Sequence, residues 1–230
     1  MDYVTRVFQD LRDIPSQAWD GLCALQDAPT PFMSYAYLLA LHTSRSASPQ
    51  TGWKPQYVTL WQDDRLVAAC PLYLKSHSYG EYVFDWAWAN AYAEHGLSYY
   101  PKGLVAVPFT PVPGSRLLAL DDRGRTLLLQ NVLEVCKEKG LSSLHLLFTS
   151  PQDRVACNAL GLMQRQTVQF HWRNEGDENF EQYLARMNHT KRKKIKQERR
   201  RVHEAGITFR WIEGAAITAE DWAFFAAAEN

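Results

Sequence analysis

Residues 54–61 (KPQYVTLW) and 66–74 (LVAACPLYL) are two apolar runs of strand length with only Gln62-Asp63-Asp64-Arg65 between them. So short and polar a connection predicts a β-hairpin, and a hairpin makes at least part of the sheet antiparallel. The chain changes habit further on. Asp121 and Asp122 open a helix whose apolar positions Leu128, Val132, Val135 and Cys136 share one face, and Gly140 stops it. A buried strand is expected at 141–148. Ser150-Pro151-Gln152-Asp153 then opens another helix, with a capping residue, a proline at the first helical position and an acid at the third; Gly161 ends it. This later part has βαβ character. The expected fold class is α/β, with a mixed, partly antiparallel sheet flanked by helices.

Further strands are expected at 3–8, 104–109 and 163–172, with a weaker one at 116–120. A helix from Pro15 and Ser16 places Trp19, Leu22 and Cys23 on one face, and Ser34 caps another through Leu41. Composition changes after Trp172. Asn174-Glu175-Gly176-Asp177 reads as a linker, Asn179 with Gln182 as a capping pair, 207–212 as a strand and Thr218 as a helix start. A first unit is therefore expected over 1–173, and a second unit begins in 174–230.

The 25 basic and 25 acidic residues cancel, but unevenly. Residues 190–203 (TKRKKIKQERRRVH) hold eight Lys or Arg and one Glu, hence +7, which leaves −7 elsewhere from 17 basic and 24 acidic residues. Cys23, Cys70, Cys136 and Cys157 are far apart among apolar neighbours, so they read as buried reduced thiols rather than metal ligands or a disulfide framework. With no signal-peptide pattern and no apolar run of membrane-spanning length, a cytoplasmic protein is expected.

Residues 77–103 read HSYGEYVFDWAWANAYAEHGLSYYPKG, five of them Tyr, with Trp86 and Trp88 either side of Ala87. His77, Glu81, Asp85, Glu94, His95 and Lys102 are threaded through this aromatic material. Mostly apolar walls with a few placed polar groups are the composition of a binding pocket. Alternation puts Tyr82, Phe84, Trp86 and Trp88 on one face of a strand, with Val83, Asp85, Ala87 and Ala89 on the other. Partial desolvation raises the pKa of Asp85 unless a cation or donors hold it charged. A half-exposed strand whose Asp85 meets an Arg or a backbone N–H gives the same pattern.

In the basic run, Thr190 is a candidate cap. Lys191, Arg192, Lys193 and Lys194 would then crowd the positive end of a helix, an arrangement suited to the phosphates of a cofactor, a lipid or an RNA. One continuous helix over 180–205, packed through Ile195 and Val202, would instead leave a merely solvated basic face. Gly-rich phosphate loops, a nucleophile elbow and metal-ligand spacing are all missing from the sequence. His145 reads as a core histidine; His171, between Phe170 and Trp172, is a candidate to line a pocket at a strand end.

The segments PFMSYAYLLALH (31–42), AACPLYLKSHSYGEYVFDWAWANAY (68–92), YYPKGLVAVPFTPVPGSRLL (99–118), SSLHLLF (142–148), QFHWRN (169–174) and KRKKIKQERRRV (191–202) fall in order and together resemble the FemAB-like group of the GNAT acyltransferase superfamily. These are bacterial proteins often linked to peptidoglycan biosynthesis. The resemblance implies tandem GNAT-type domains, of which 174–230 would hold a linker, a basic helix and the start of the second. It also implies transfer of an acyl or aminoacyl group, from acyl-CoA or aminoacyl-tRNA, to a small-molecule or peptide amine without a metal. One departure stands out: the Arg/Gln-x-x-Gly-x-Gly/Ala turn that grips coenzyme A in simple GNAT enzymes has no match, Arg123-Gly124-Arg125 being the nearest segment.

Acyl transfer needs a neutral amine and a stabilised oxyanion. Asp85 or Glu81 is the expected base, and Tyr79, Tyr99 or Tyr100 the expected acid for the leaving group. His77, Trp86, Trp88, Tyr99, Tyr100, Lys102 and His171 are the expected substrate-binding residues; Lys191, Arg192, Lys193 and Lys194, with Lys102, hold the donor phosphates. Two other readings compete. One is a non-catalytic module docking RNA or anionic lipid through the basic run; the other is a structural first domain with catalysis elsewhere.

Overall fold

The computed structural model describes residues 3–27 and 29–228. They form two compact units, one ending at Gln166 and the other beginning at Thr167.

The first unit carries, in order, β1 (Tyr3–Phe8), α1 (Ser16–Ala24), α2 (Tyr35–Thr43), β2 (Trp53–Gln62), β3 (Arg65–Lys75), α3 (Trp86–Glu94), β4 (Lys102–Val105), β5 (Leu118–Ala119), α4 (Asp122–Glu138), β6 (Leu144–Leu146) and α5 (Pro151–Ala159). The sheet runs β1-β2-β3-β4-β6, with β5 also on β3. All pairs are antiparallel except β4 with β6, where Gly103 lies opposite Leu144 and Leu104 opposite His145. The α/β class and the mixed sheet read from the sequence are both present.

The β2–β3 hairpin is the longest ladder, from Trp53 opposite Lys75 to Gln62 opposite Arg65. Its turn residues Asp63 and Asp64 both have positive φ, 46° and 62°, the left-handed pair that matches strand twist in a two-residue turn. Alternation along the strands feeds three cores, one of them formed by Trp53, Tyr73 and Leu104 with Ala106 and Leu147. Val58, Leu60, Ala68, Cys70 and Leu72 pack on Leu128, Leu129, Val132 and Cys136 of α4 and on Ala156 and Cys157 of α5. Tyr57, Trp61, Leu66 and Ala69 pack on Trp19 and Leu22 of α1 and Leu38 of α2. The four cysteines are buried and free. A Cβ at Gly103 would lie 2.9 Å from Cys136 Sγ, so the lack of a side chain there lets α4 close down on β4.

Helix caps follow the sequence: Ser34, Asp121 and Ser150 each accept a backbone N–H from the first turn of α2, α4 and α5. Four expectations fail. Residues 82–89 are not a strand: α3 begins at Trp86, and alanines at 87, 89, 91 and 93 supply the helix-forming residues that the aromatic alternation masked. Residues 163–172 and 207–212 alternate in sequence but pair with no strand among the described residues; their apolar members, Val168, Phe170, Phe209 and Trp211 among them, are exposed. The expected 104–109 strand pairs as 102–105.

The second unit contains α6 (Phe180–Ala185), α7 (His189–Glu204) and α8 (Ala219–Ala228). Asn179 caps α6, as read. The cap of the basic helix is Asn188, whose side chain accepts from Lys191 N, and not Thr190; the continuous 180–205 helix is likewise broken at 186–188. No helix among the described residues is long and apolar enough to cross a membrane.

Candidate active site

Strand β4 enters the sheet at Lys102, whose side chain has no exposed surface. An ammonium carries three donors. Here they meet Ser78 Oγ at 2.9 Å, Glu81 Oε2 at 2.8 Å and Asp85 Oδ2 in a short contact. Ser78, Glu81 and Asp85 all come from the segment between β3 and α3, so one strand lysine organises the whole crossover. Asp85 occupies the N-cap position of α3 but does not cap it, because its carboxylate is turned inward to Lys102.

Tyr99 completes the cluster from the other side. Its phenol donates to Asp85 Oδ2 at 2.7 Å and lies 3.1 Å from His145 Nε2; His145 Nε2 is also 3.1 Å from Ser143 Oγ. The parallel β4–β6 register sets Ser143 and His145 beside this edge of the sheet. Lys75, the ladder partner of Lys102, is equally buried and takes another exit: its Nζ lies 3.5 Å from the Trp53 ring centre and donates to Tyr79 O at 3.2 Å.

The two carboxylates are not equivalent. Burial acts to raise both. At Asp85 the hydrogen bonds from Lys102, Ser78 and Tyr99 outweigh it and hold the acid below its usual range. At Glu81 burial prevails over Lys102, and the pKa is raised. Asp85 therefore follows the second branch of the sequence expectation, with a cation and donors that keep it charged. Burial and the neighbouring Asp85 push Tyr99 up, so it stays a phenol. Burial, helped by the charge of Lys102, pushes His145 down to about 4. Glu81 Oε1 and Asp85 Oδ1 are buried without any hydrogen-bond partner. A buried acceptor left unmade is costly, so both atoms are poised for a donor.

The structure gathers Glu81, Asp85, Tyr99, Tyr100 and Lys102, with Tyr100 hydroxyl 2.8 Å from Ser78 Oγ. Above them Tyr79 is 68% exposed and its ring meets those of Trp86 and His77. Trp88 lies under the guanidinium of Arg165 at 5.5 Å. Trp86 and Trp88 thus sit on a helix, not on one face of a strand. Lys102 is a sealed counter-ion and is not free to hold a phosphate. Tyr99 spends its proton on Asp85 and is not a free acid. The expected open cavity does not meet the carboxylates, which are about 4% exposed and sealed against Lys102; a hollow of about 330 Å³ lies elsewhere, between α1 and the hairpin turn, lined by Leu22, Leu25, Trp61 and Leu66. His171 lies in the second unit, exposed, 3.1 Å from Gln169. Sequence reasoning undervalued His145 and Ser143; their i, i+2 spacing on a strand was the available signal.

In the second unit, α7 presents Lys191, Lys193 and Lys194 exposed and Arg192 half-exposed. Lys194 meets Glu198, Lys196 meets Glu181 and Arg200 meets Glu204. Among the described residues Lys191, Lys193 and Arg201 have no carboxylate partner, nor do Arg192, which donates to Ala185 O, and Arg199, which lies over the Phe180 ring.

Comparison with known families decides the kinship: the FemAB-like family, described as peptidoglycan biosynthesis/recognition, matches residues 10–229. The chain belongs to the FemAB-like family. Among curated proteins no match is found. Solved structures similar to this FemAB-like chain include an aminoglycoside N-acetyltransferase AAC(6')-Iy in complex with CoA (13% identity, 75% of this chain and 95% of that one, TM-score 0.44). A ribosomal-protein-alanine N-acetyltransferase from Brucella melitensis biovar Abortus 2308 is similar too (16%, 76% and 100%, 0.44). So is glucosamine-6-phosphate N-acetyltransferase from Arabidopsis thaliana (9%, 75% and 99%, 0.42).

Proposed function

We propose that this FemAB-like protein transfers an acyl or aminoacyl group from an ester or thioester to a primary amine of a small molecule or peptide, with Glu81 as the base. One observation carries the reading. The acid with the raised pKa also has a buried oxygen, Oε1, that lacks a donor. An incoming ammonium supplies that donor, with Asp85 Oδ1 as a second acceptor. Glu81 then takes one proton, and the neutral nitrogen attacks the acyl carbon. The bond from that carbon to the leaving sulfur or oxygen breaks, the leaving group takes a proton from Tyr79, the tyrosine that faces outward, and the second proton of the nitrogen returns to the Tyr79 phenolate as the amide forms. Asp85 stays ionised beside Lys102 and balances the charge of the second ammonium.

Reaching these atoms requires α3 to lift while Glu81 and Asp85 stay on Lys102. Helix α3 buries none of its residues, and Gly96 follows it with φ of +67°. Few buried contacts and permissive backbone at one end are what a mobile cover needs. Acyl-CoA and aminoacyl-tRNA both have the required donor chemistry, and Lys191, Arg192, Lys193 and Lys194 suit the phosphates of either.

A second reading is a non-catalytic module that docks RNA or anionic lipid through α7; the unpaired Lys191, Lys193 and Arg201 favour it. One experiment separates the two. The purified protein is incubated with labelled acetyl-CoA or aminoacyl-tRNA and a panel of peptide and small-molecule amines. N-acyl product that disappears in Glu81→Gln supports the transferase; salt-sensitive RNA or vesicle binding with no product from either donor overturns it.

A further inference from the structure

Tyr99 has one hydroxyl proton and two neighbours competing for it: Asp85 Oδ2 at 2.7 Å and His145 Nε2 at 3.1 Å. A charged carboxylate is the stronger acceptor, so the phenol donates to Asp85. If Nε2 carried a lone pair, two lone pairs would then face each other across 3.1 Å with no proton between them. If Nε2 carries the hydrogen, it donates to Tyr99 Oη and is shared with Ser143 Oγ, also at 3.1 Å, and the contact between imidazole and phenol has its proton.

We propose that His145 is a positioning residue: as the Nε2-protonated tautomer it turns the phenol of Tyr99 onto Asp85, and so keeps Asp85 ionised while Glu81 remains the acid free to exchange a proton. The hydrogen bonds point one way, from imidazole to phenol to carboxylate. Losing the first donor frees the phenol to rotate away from Asp85. Because Asp85 and Glu81 share the single ammonium of Lys102, weakening one carboxylate's partners lets the other take more of the cation, and the two titrate as a pair. The groups facing the His145 ring are Tyr99, Ser143, Lys102, Asp85 and Arg165. Lys102 and Arg165 oppose its protonation, Asp85 favours it, and burial decides for the neutral form.

The tautomer stands on geometry; the consequence for Glu81 in catalysis rests on the acyl-transfer reading. The test uses the whole chain labelled with 15N-histidine and with carboxyl-13C aspartate and glutamate. Wild type should show the Nε2–H tautomer at neutral pH, with Asp85 titrating below about 3.9 and Glu81 above about 4.3. His145→Gln, whose amide N–H falls near Nε2, should leave both titrations in place. His145→Asn, whose amide falls near Nδ1, should move Asp85 upward. An Nδ1–H tautomer in wild type, or identical Asp85 titrations in the two variants, overturns the proposal; the wild-type spectrum decides even if His145→Asn does not fold. In a transfer assay His145→Asn should shift the acid limb of the kcat–pH profile with KM unchanged, and His145→Gln should restore it. Titrations that behave as stated with no change in that limb would overturn the assignment of Glu81 and leave that of His145 standing.

Discussion

Lys75 and Lys102 stand opposite each other in the β3–β4 ladder, both fully buried, yet only Lys102 meets carboxylates among the described residues. Like charges in register are unfavourable, and the pair persists because each ammonium leaves the ladder toward a different partner.

Lys75 carries the cost of that arrangement. Burial and the charge of Lys102 bring it down to about 8, with Glu81 acting against them. In the unfolded chain a lysine titrates near 10.4. Between these values the unfolded state binds the extra proton, so stability contributed by this site rises with pH through that window. Urea unfolding at several pH values should show wild type gaining on Lys75→Met between about pH 8 and 10. A constant difference would contradict the assignment.

Removing the cation of the carboxylate pair is the sharper perturbation. Lys102→Met leaves Glu81 and Asp85 buried without their counter-ion. The loss should be about 3–5 kcal/mol at neutral pH. It should shrink as the pH falls, Glu81 taking up its proton above the ordinary carboxylate range and Asp85 below it, because a protonated acid no longer needs the ammonium. Denaturation midpoints at pH 7 and pH 4 check both statements.

Glu81→Gln keeps the shape of the side chain and its contact with Lys102 while removing the base. Turnover in the transfer assay should fall by about 10²–10⁴-fold with the far-UV circular dichroism unchanged. A variant with full turnover would exclude Glu81 as the proton acceptor.

On α7, the ion pairs divide the cations into two sets. Replacing Lys191, Lys193 and Arg201 together by glutamine should weaken binding to RNA or anionic vesicles and lower the log–log salt slope by about 2–3. Replacing Lys194 and Lys196, which face Glu198 and Glu181, should change it less. Filter binding across a salt series reads both.

Local chemistry made much of this fold legible. The caps at Ser34, Asp121 and Ser150, the two-residue turn at Asp63-Asp64 and the apolar stripe of α4 are each set by residues within a few positions of one another. The site was only half legible for the opposite reason. Glu81 and Asp85 meet Lys102 from 21 and 17 residues away, and His145 meets Tyr99 from 46 away. Nothing near Lys102 in sequence signals that it is buried, so it passed for a phosphate ligand. The strand misread at 82–89 has the same root: Asp85 turns inward to a distant lysine, and that contact, not the aromatic alternation, sets where α3 starts.

Strands β4 and β6 run side by side in the same direction, and α4 is the crossover between them. Lys102 and Tyr99 arrive with one strand, Ser143 and His145 with the other. A polypeptide folded only as far as the β2–β3 hairpin therefore holds no fragment of this constellation. The constellation and the finished topology arrive together, and a chain caught part-way has assembled neither half of it.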